Sequence, residues 1–178
     1  MNNIVVVYKS KYGSTKKYAK WIAEKTKADL FEELEVDSKK LMEYDTIIYG
    51  GGLYAGGIAG ISLITKNYKG IKDKKIIVFT VGLASTDKEE IFIPIIEKNF
   101  SKEMIENINF FHFRGGIDYK KLGIIHKLMM AMLKIVTSKK DKNKLTDEDI
   151  EFLDTYGKNV DFTDKNTLSP LLSYLSNL

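Results

Sequence analysis

The residues best suited to chemistry stand in one short loop near the start of the chain, Ser10-Lys11-Tyr12-Gly13-Ser14-Thr15. Ser10, Ser14 and Thr15 offer hydroxyl donors without adding charge, and Gly13 lets backbone come close to a ligand. Four apolar residues before the loop, Ile4-Val5-Val6-Val7, read as a buried strand. A helix opens at Thr15 and carries Tyr18, Ala19, Ile22 and Ala23 on one face. The first N–H groups of such a helix lack intrahelical acceptors and point at whatever sits in the loop, so the strand, loop and helix together make an anion site. The loop lacks G-x-x-x-x-G-K-S/T, so no lysine is placed for a nucleoside triphosphate. It also lacks G-x-G-x-x-G, the dinucleotide fingerprint. An ordinary turn with a Ser/Thr helix cap is the bland alternative.

Strand and helix signals alternate along the rest of the chain. Strands are expected at residues 4–7, 30–34, 45–50, 75–81 and 109–113. Helical stretches are expected at 38–42, 61–68 and 88–100, the last irregular around Pro94. A final helix should start at Thr146, with Asp149 as a capping partner and Ile150, Leu153 and Val160 on one side. Alternation of this kind predicts an α/β fold, a flavodoxin-like doubly wound five-stranded parallel sheet of order 2-1-3-4-5 with a helical insertion after strand 5. The ligand then lies at the carboxyl ends of strands 1 and 3, where the winding reverses. Two further loops should emerge there. One follows strand 3 and contains Gly52, Leu53, Tyr54 and Ala55; the other follows strand 4 and contains Gly82, Leu83, Ala84 and Ser85. Glycines with Leu53 and Tyr54 suit a planar ring, Tyr54 by stacking, and N–H groups of the second loop suit its polar edge.

Two segments exceed a minimal fold of this class. Residues 115–145 are too many for a plain connection, and their centre, 120–136, reads as a basic, Met-rich amphipathic helix. Lys120, Lys121, Lys127, Lys134, Lys139 and Lys140 surround Leu128, Met129, Met130, Met132 and Leu133, which predicts an anionic, apolar partner. Burial of the same face on the chain itself or across a homodimer is the competing expectation. The tail, 163–178, should start a helix at Ser169-Pro170 and dock Leu171, Leu172, Leu175 and Leu178 on the core.

With these residues in view, a family resemblance emerges. Ser-x-Tyr-Gly-Ser-Thr resembles the Ser/Thr-x-Thr-Gly-x-Thr loop with which flavodoxins bind the FMN phosphate, departing from it at Tyr12. Together with Gly52-Leu53-Tyr54-Ala55-Gly56, the turn Phe113-Arg114-Gly115-Gly116-Ile117-Asp118-Tyr119 and the Met/Lys-rich helix, it looks like the flavodoxin-domain group that includes menaquinone-dependent protoporphyrinogen oxidase. The resemblance covers residues 1 to about 160 and implies FMN, oxidation of a porphyrinogen and delivery of electrons to a quinone or another acceptor. In such an enzyme the flavin does the redox chemistry, and no residue need be a general base. Arg114, the one arginine of the chain, together with Lys127 and Met130, is the expected contact for such a substrate; a surface ion pair is the plainer role for Arg114. The alternative function is a flavodoxin-type electron carrier with no small-molecule substrate. A flavin-free fold used only for interaction comes third.

Composition narrows the field. With 178 residues, 44% hydrophobic and 29% charged, the chain reads as one soluble globular domain. The absence of cysteine excludes disulfides, thiol catalysis and thiolate metal sites. His112 and His126 alone cannot make a structural zinc site; they read as a satisfied sheet residue and a solvated helix residue. Met1-Asn2-Asn3 leaves no room for a signal peptide before the first strand, so a cytoplasmic protein is expected, peripheral at a membrane if the basic helix finds anionic lipid. A net charge of +4 favours an anionic substrate or lipid surface. No recognition motif supports nucleic acid.

Overall fold

The computed structural model describes residues 3–177. The apolar run expected near the start forms β1 (Ile4–Lys9), which leads through the hydroxyl loop into α1 (Ser14–Thr26). There follow β2 (Asp29–Glu32), α2 (Ser38–Met42), β3 (Thr46–Tyr54) and β4 (Gly57–Ile58). Next come α3 (Ser62–Thr65), α4 (Tyr68–Ile71), β5 (Lys75–Gly82), α5 (Ile93–Asn99), α6 (Lys102–Asn107) and β6 (Ile108–Arg114). The chain continues with β7 (Gly116–Asp118), α7 (Ile124–Ser138), α8 (Asp147–Thr155), β8 (Asn159–Asp161) and α9 (Ser169–Ser176).

The parallel strands lie in the order β2-β1-β3-β5-β6. Counted among themselves they give 2-1-3-4-5, as the alternation of elements predicts. Side chains alternate across the pleat. Val5, Val7, Ile47, Tyr49, Ile76 and Val78 face a layer built from α2 to α6. Val6, Ile48, Ile77, Phe79, Val81 and Phe113 face α1 and α9. The tail docks there through Leu168 and Leu171, both fully buried, with Leu172 and Leu175 packed beside them; Leu178 lies outside the described residues.

Several boundaries differ from the sequence expectation. β2 stops at Glu32 because Glu35 caps the next turn, a 3-10 helix over Glu33–Glu35, and Leu34 is left 84% exposed. The single helix expected over 61–68 is two short ones. Pro94 starts α5 rather than bending a longer helix, since its missing N–H costs nothing in a first turn. Val160 belongs to β8, not to the last helix: α8 ends at Thr155, and β8 pairs antiparallel with β7 to make a second, two-stranded sheet. The cap of α8 is as expected, with Asp149 N–H donating to Thr146 and Thr146 N–H donating to Asp149. The glycine run after strand 3 is strand, not loop. β3 continues through Gly50, Gly51 and Gly52, pairing with β1 and β5, and only then turns back into β4.

Candidate functional site

Four parallel strands end at the same edge of the sheet, with Lys9, Gly51, Thr80 and His112 in register near their carboxyl ends. The hydroxyl loop sits there. Gly13 has φ 98°, a left-handed conformation that suits glycine; a Cβ would find nothing within 4 Å, so the backbone and not crowding selects it. The Gly13 N–H donates to Ser10 Oγ at 3.1 Å, and the Gly116 N–H donates to Ser14 Oγ at 3.0 Å. Each serine oxygen is thus used as an acceptor, and its proton remains free to donate. Thr15 is 3% exposed and lines the same cavity. No side chain caps α1. The loop therefore presents hydroxyl protons and first-turn N–H groups together, a donor set that fits a phosphate monoester.

Beside it stands the β3–β4 hairpin. Ala55 at φ 50° and Gly56 at φ 74° form its two-residue turn, the left-handed pair that short hairpins require. α5 props it up: Lys98 donates to the Ala55 carbonyl at 3.2 Å and Asn99 to the Gly56 carbonyl at 3.0 Å. The hairpin holds Leu53 and Tyr54 over the cavity. Burial raises the Tyr54 phenol above its ordinary pKa, with Tyr12 adding to the shift and the Lys11 backbone N–H opposing it.

The insertion supplies the roof. α7 brings His126, Met129 and Met130 over the cavity, and Leu122 closes its side. His126 stacks on Tyr54, with ring centroids 5.1 Å apart and planes at 15°. The Tyr12 hydroxyl lies 2.7 Å from His126 Nδ1. The Gly123 N–H also donates to the Tyr12 oxygen, at 3.4 Å, so the phenol ties the start of α7 to the loop. Burial, and then the nearby Lys11 charge, lower the His126 pKa below its ordinary value. The enclosed space is about 160 Å³, below the roughly 300–1,000 Å³ of sites that engulf a drug-sized ligand. The Tyr54–His126 stack fills the gap between hairpin and roof.

The sequence-predicted residues divide into groups. Ser10, Tyr12, Ser14, Thr15, Gly52, Leu53, Tyr54, Ala55, Gly82, Leu83 and Met130 line this cavity. Lys11 and Gly13 face a neighbouring, more polar cavity of about 700 Å³ on the other side of the loop, with Lys17 and Lys121. Ala84 lines a third, of about 270 Å³, between α7 and α8. Ser85 donates to Asp87 at 2.7 Å. Lys127 is exposed and outside all three cavities. Arg114 is committed elsewhere: its guanidinium pairs with Glu151 at 2.7 Å, donates to the Leu83 carbonyl at 3.2 Å and lies 4.0 Å over the Phe162 ring. It clamps α8 and the segment after β8 to the end of β6, the ion-pair role.

His126 is not the solvated helix residue that the sequence implies, and Gly115, Gly116, Ile117, Leu122 and Met129 were also not singled out as site residues. The i, i+3, i+4 spacing of His126, Met129 and Met130 was the available signal. His112, by contrast, is the satisfied sheet residue expected. It shares a 2.7 Å hydrogen bond with Thr80 and stacks on Phe92 at 3.8 Å.

A doubly wound sheet with a hydroxyl anion loop and an aromatic hairpin at its switch point defines a flavodoxin-like fold. The comparison with known families agrees. The flavodoxin domain family matches residues 5–144, and the chain belongs to it. No curated protein matches the sequence significantly. Among solved structures, the chain is similar to oxidised flavodoxin 2 from Bacillus cereus, at 21% identity over 63% of this chain and 84% of that one, with a TM-score of 0.46. It is similar to a WrbA-like flavodoxin from Agrobacterium tumefaciens, at 26% identity over 48% of this chain and 63% of that one, with a TM-score of 0.41. A third is a flavoprotein in complex with FMN from Lactobacillus acidophilus NCFM, at 17% identity over 64% of this chain and 93% of that one, with a TM-score of 0.41. The chain thus spans less than two thirds of the WrbA-like protein.

Proposed function

We infer that this chain binds FMN, with the phosphate in the loop at residues 10–15, and works as an oxidoreductase resembling menaquinone-dependent protoporphyrinogen oxidase. Electrons pass from a porphyrinogen-like substrate to a quinone or another acceptor. The observation that carries the reading is the split character of the cavity. One end offers hydroxyl and helix N-terminal donors, and the remainder is aliphatic and aromatic, roofed by methionines from the insertion. A mononucleotide with a planar ring matches both ends. FAD does not, because the loop offers donors for one phosphate group only.

FMN, when bound, supplies the electron and hydride transfer. The chain's residues do the rest. Ser10, Ser14 and Thr15 hold the phosphate. Leu53, Val81 and Leu83 exclude water from the ring's surroundings. Tyr54 and His126, stacked on each other, would have to part to admit the ring and would then flank it. Family membership supports the flavin-binding part of this reading, and the order of the loop, hairpin, turn and Met-rich helix along the chain is what supports the finer assignment.

The test is in two stages. The purified protein, titrated with FMN, should show a flavin absorption spectrum and quenched flavin fluorescence; failure to bind FMN overturns the whole reading. The loaded protein should then oxidise protoporphyrinogen anaerobically with a quinone as acceptor. FMN binding without that turnover, but with reversible exchange of electrons with a redox protein, establishes the carrier instead.

A further inference from the structure

α7 has two apolar faces, and the cavity uses only one. His126, Met130 and the buried Thr137 turn inward. On the opposite side, Ile124 (86% exposed), Ile125, Leu128 (62%), Met132, Ile135 and Val136 (61%) follow one another at helical spacing with nothing covering them. Of the twelve exposed large apolar residues among the described ones, eight belong to this one helix. Scattered apolar residues are normal on a surface, but a continuous strip of this kind marks an interaction face.

Charge decides what covers it. From residue 120 to residue 140 the chain has six lysines and no acidic residue. Lys120 precedes the helix, Lys139 follows it, and Lys127 lies along it; none of these three makes an ion pair among the described residues. The nearby acids Asp149 and Glu151 of α8 are held by Lys140 and Arg114. A second copy is a poor occupant, because a symmetric pairing of this face on itself brings one basic frame against the other. A neutral apolar protein partner leaves the lysines unused. The strip is also convex, a row of aliphatic side chains on a single helix, which a fluid surface accommodates without a matching groove.

We propose that the outer face of α7 is a membrane-docking surface that seats the protein on an anionic phospholipid bilayer. The helix lies flat in the interface. Ile124, Leu128, Met132 and Ile135 enter the headgroup–acyl boundary, and Lys120, Lys127 and Lys139 meet lipid phosphates. Among the described residues no helix is long and apolar enough to cross a membrane, so attachment is peripheral. Since the inner face of the same helix roofs the cavity, docking holds that cavity against the bilayer. The inference stands without the flavin.

The experiment is flotation of the full chain with vesicles of phosphatidylglycerol and phosphatidylcholine in equal parts, against vesicles of phosphatidylcholine alone, with oligomeric state by sedimentation and FMN affinity measured in parallel. The wild type should float with the anionic vesicles, less so as salt rises. The triple variant Lys120→Gln, Lys127→Gln, Lys139→Gln should weaken that binding on the order of a hundredfold, at about fivefold per lysine. The double variant Leu128→Asp, Ile135→Asp should lose it. Both variants should bind FMN as the wild type does, because none of these residues lines the cofactor cavity; and vesicle binding should persist even if FMN affinity proves absent altogether. No flotation of the wild type at low salt overturns the proposal. So does equal flotation with both vesicle types. A dimer that Leu128→Asp, Ile135→Asp dissolves, without vesicle binding, overturns it in favour of a second copy.

Discussion

Replacing Thr15 by valine removes one hydroxyl from the phosphate loop and almost nothing else. The residue is 3% exposed and opens on the cavity beside Ser10 and Ser14. Valine keeps the branched shape that packs in the first turn of α1, whereas alanine at Ser10 or Ser14 also strips an acceptor from the Gly13 or Gly116 N–H. A hydrogen bond to a charged group contributes about 1.5–3 kcal/mol, so loss of this donor should weaken FMN binding roughly ten- to hundredfold. Riboflavin has the same ring and no phosphate. Its affinity should therefore stay within about twofold of the wild-type value, since no charged partner is lost. Quenching of flavin fluorescence reads both titrations on the same samples. If Thr15→Val weakens riboflavin as much as FMN, the residue touches the ring or the fold and not the phosphate. If it weakens neither, the phosphate lies elsewhere and the loop is an ordinary helix start.

Three other outcomes follow from the geometry. Burial holds the His112 pKa at about 4 against an ordinary 6.5; the unfolded chain therefore binds the proton first, and stability complete above pH 6.5 should fall through the window down to pH 4 by about 2–3 kcal/mol after allowance for the ring's partial exposure. Denaturant titrations followed by Trp21 fluorescence should show this loss, and His112→Gln should flatten it. Gly50→Ala places a methyl 2.1 Å from Phe79 Cζ, inside a ring that is fully buried, and should cost about 1–3 kcal/mol in the same titration; an unchanged midpoint would mean that Phe79 is not seated under β3. Arg114→Lys keeps the charge but loses the fork that joins Glu151, the Leu83 carbonyl and the Phe162 ring, so it should destabilise nearly as much as Arg114→Gln, by about 1–2 kcal/mol; full rescue by lysine would reduce the clamp to simple charge.

The parts of this molecule legible in the sequence are those fixed by short-range chemistry. Four apolar residues before Ser10 can hardly be anything but a buried strand, and Thr146 with Asp149 three residues on satisfies a helix start reciprocally. The glycine run reads as a loop along the chain because glycine propensity opposes strand. Gly50 and Gly51 are in the sheet because β1 and β5 flank them on both sides, Gly52 because it still pairs with β5, and Phe79 occupies the space a side chain would take at Gly50, a tertiary reason invisible along the chain. Val160 was lost to the helix for the same kind of reason, since its partner Ile117 stands more than forty residues away.

The insertion shows most clearly where local reading runs out. Helical spacing in residues 120–136 correctly gives an amphipathic helix, but spacing cannot say which of two apolar faces meets the chain. The structure assigns them differently from the compositional impression. The methionines that look like a partner-binding surface, Met129 and Met130, are partly spent on the cavity, and the isoleucines and Leu128 point away. His126 is the residue that orients the helix. With Tyr12 bonded to Nδ1 and Tyr54 stacked on the ring, rotating α7 by one residue would break both contacts and turn Ile125 or Lys127 toward the loop. A histidine that reads as solvated in isolation thus fixes both faces of the helix at once: the inner one over the candidate flavin site and the outer one toward whatever the lysines attract.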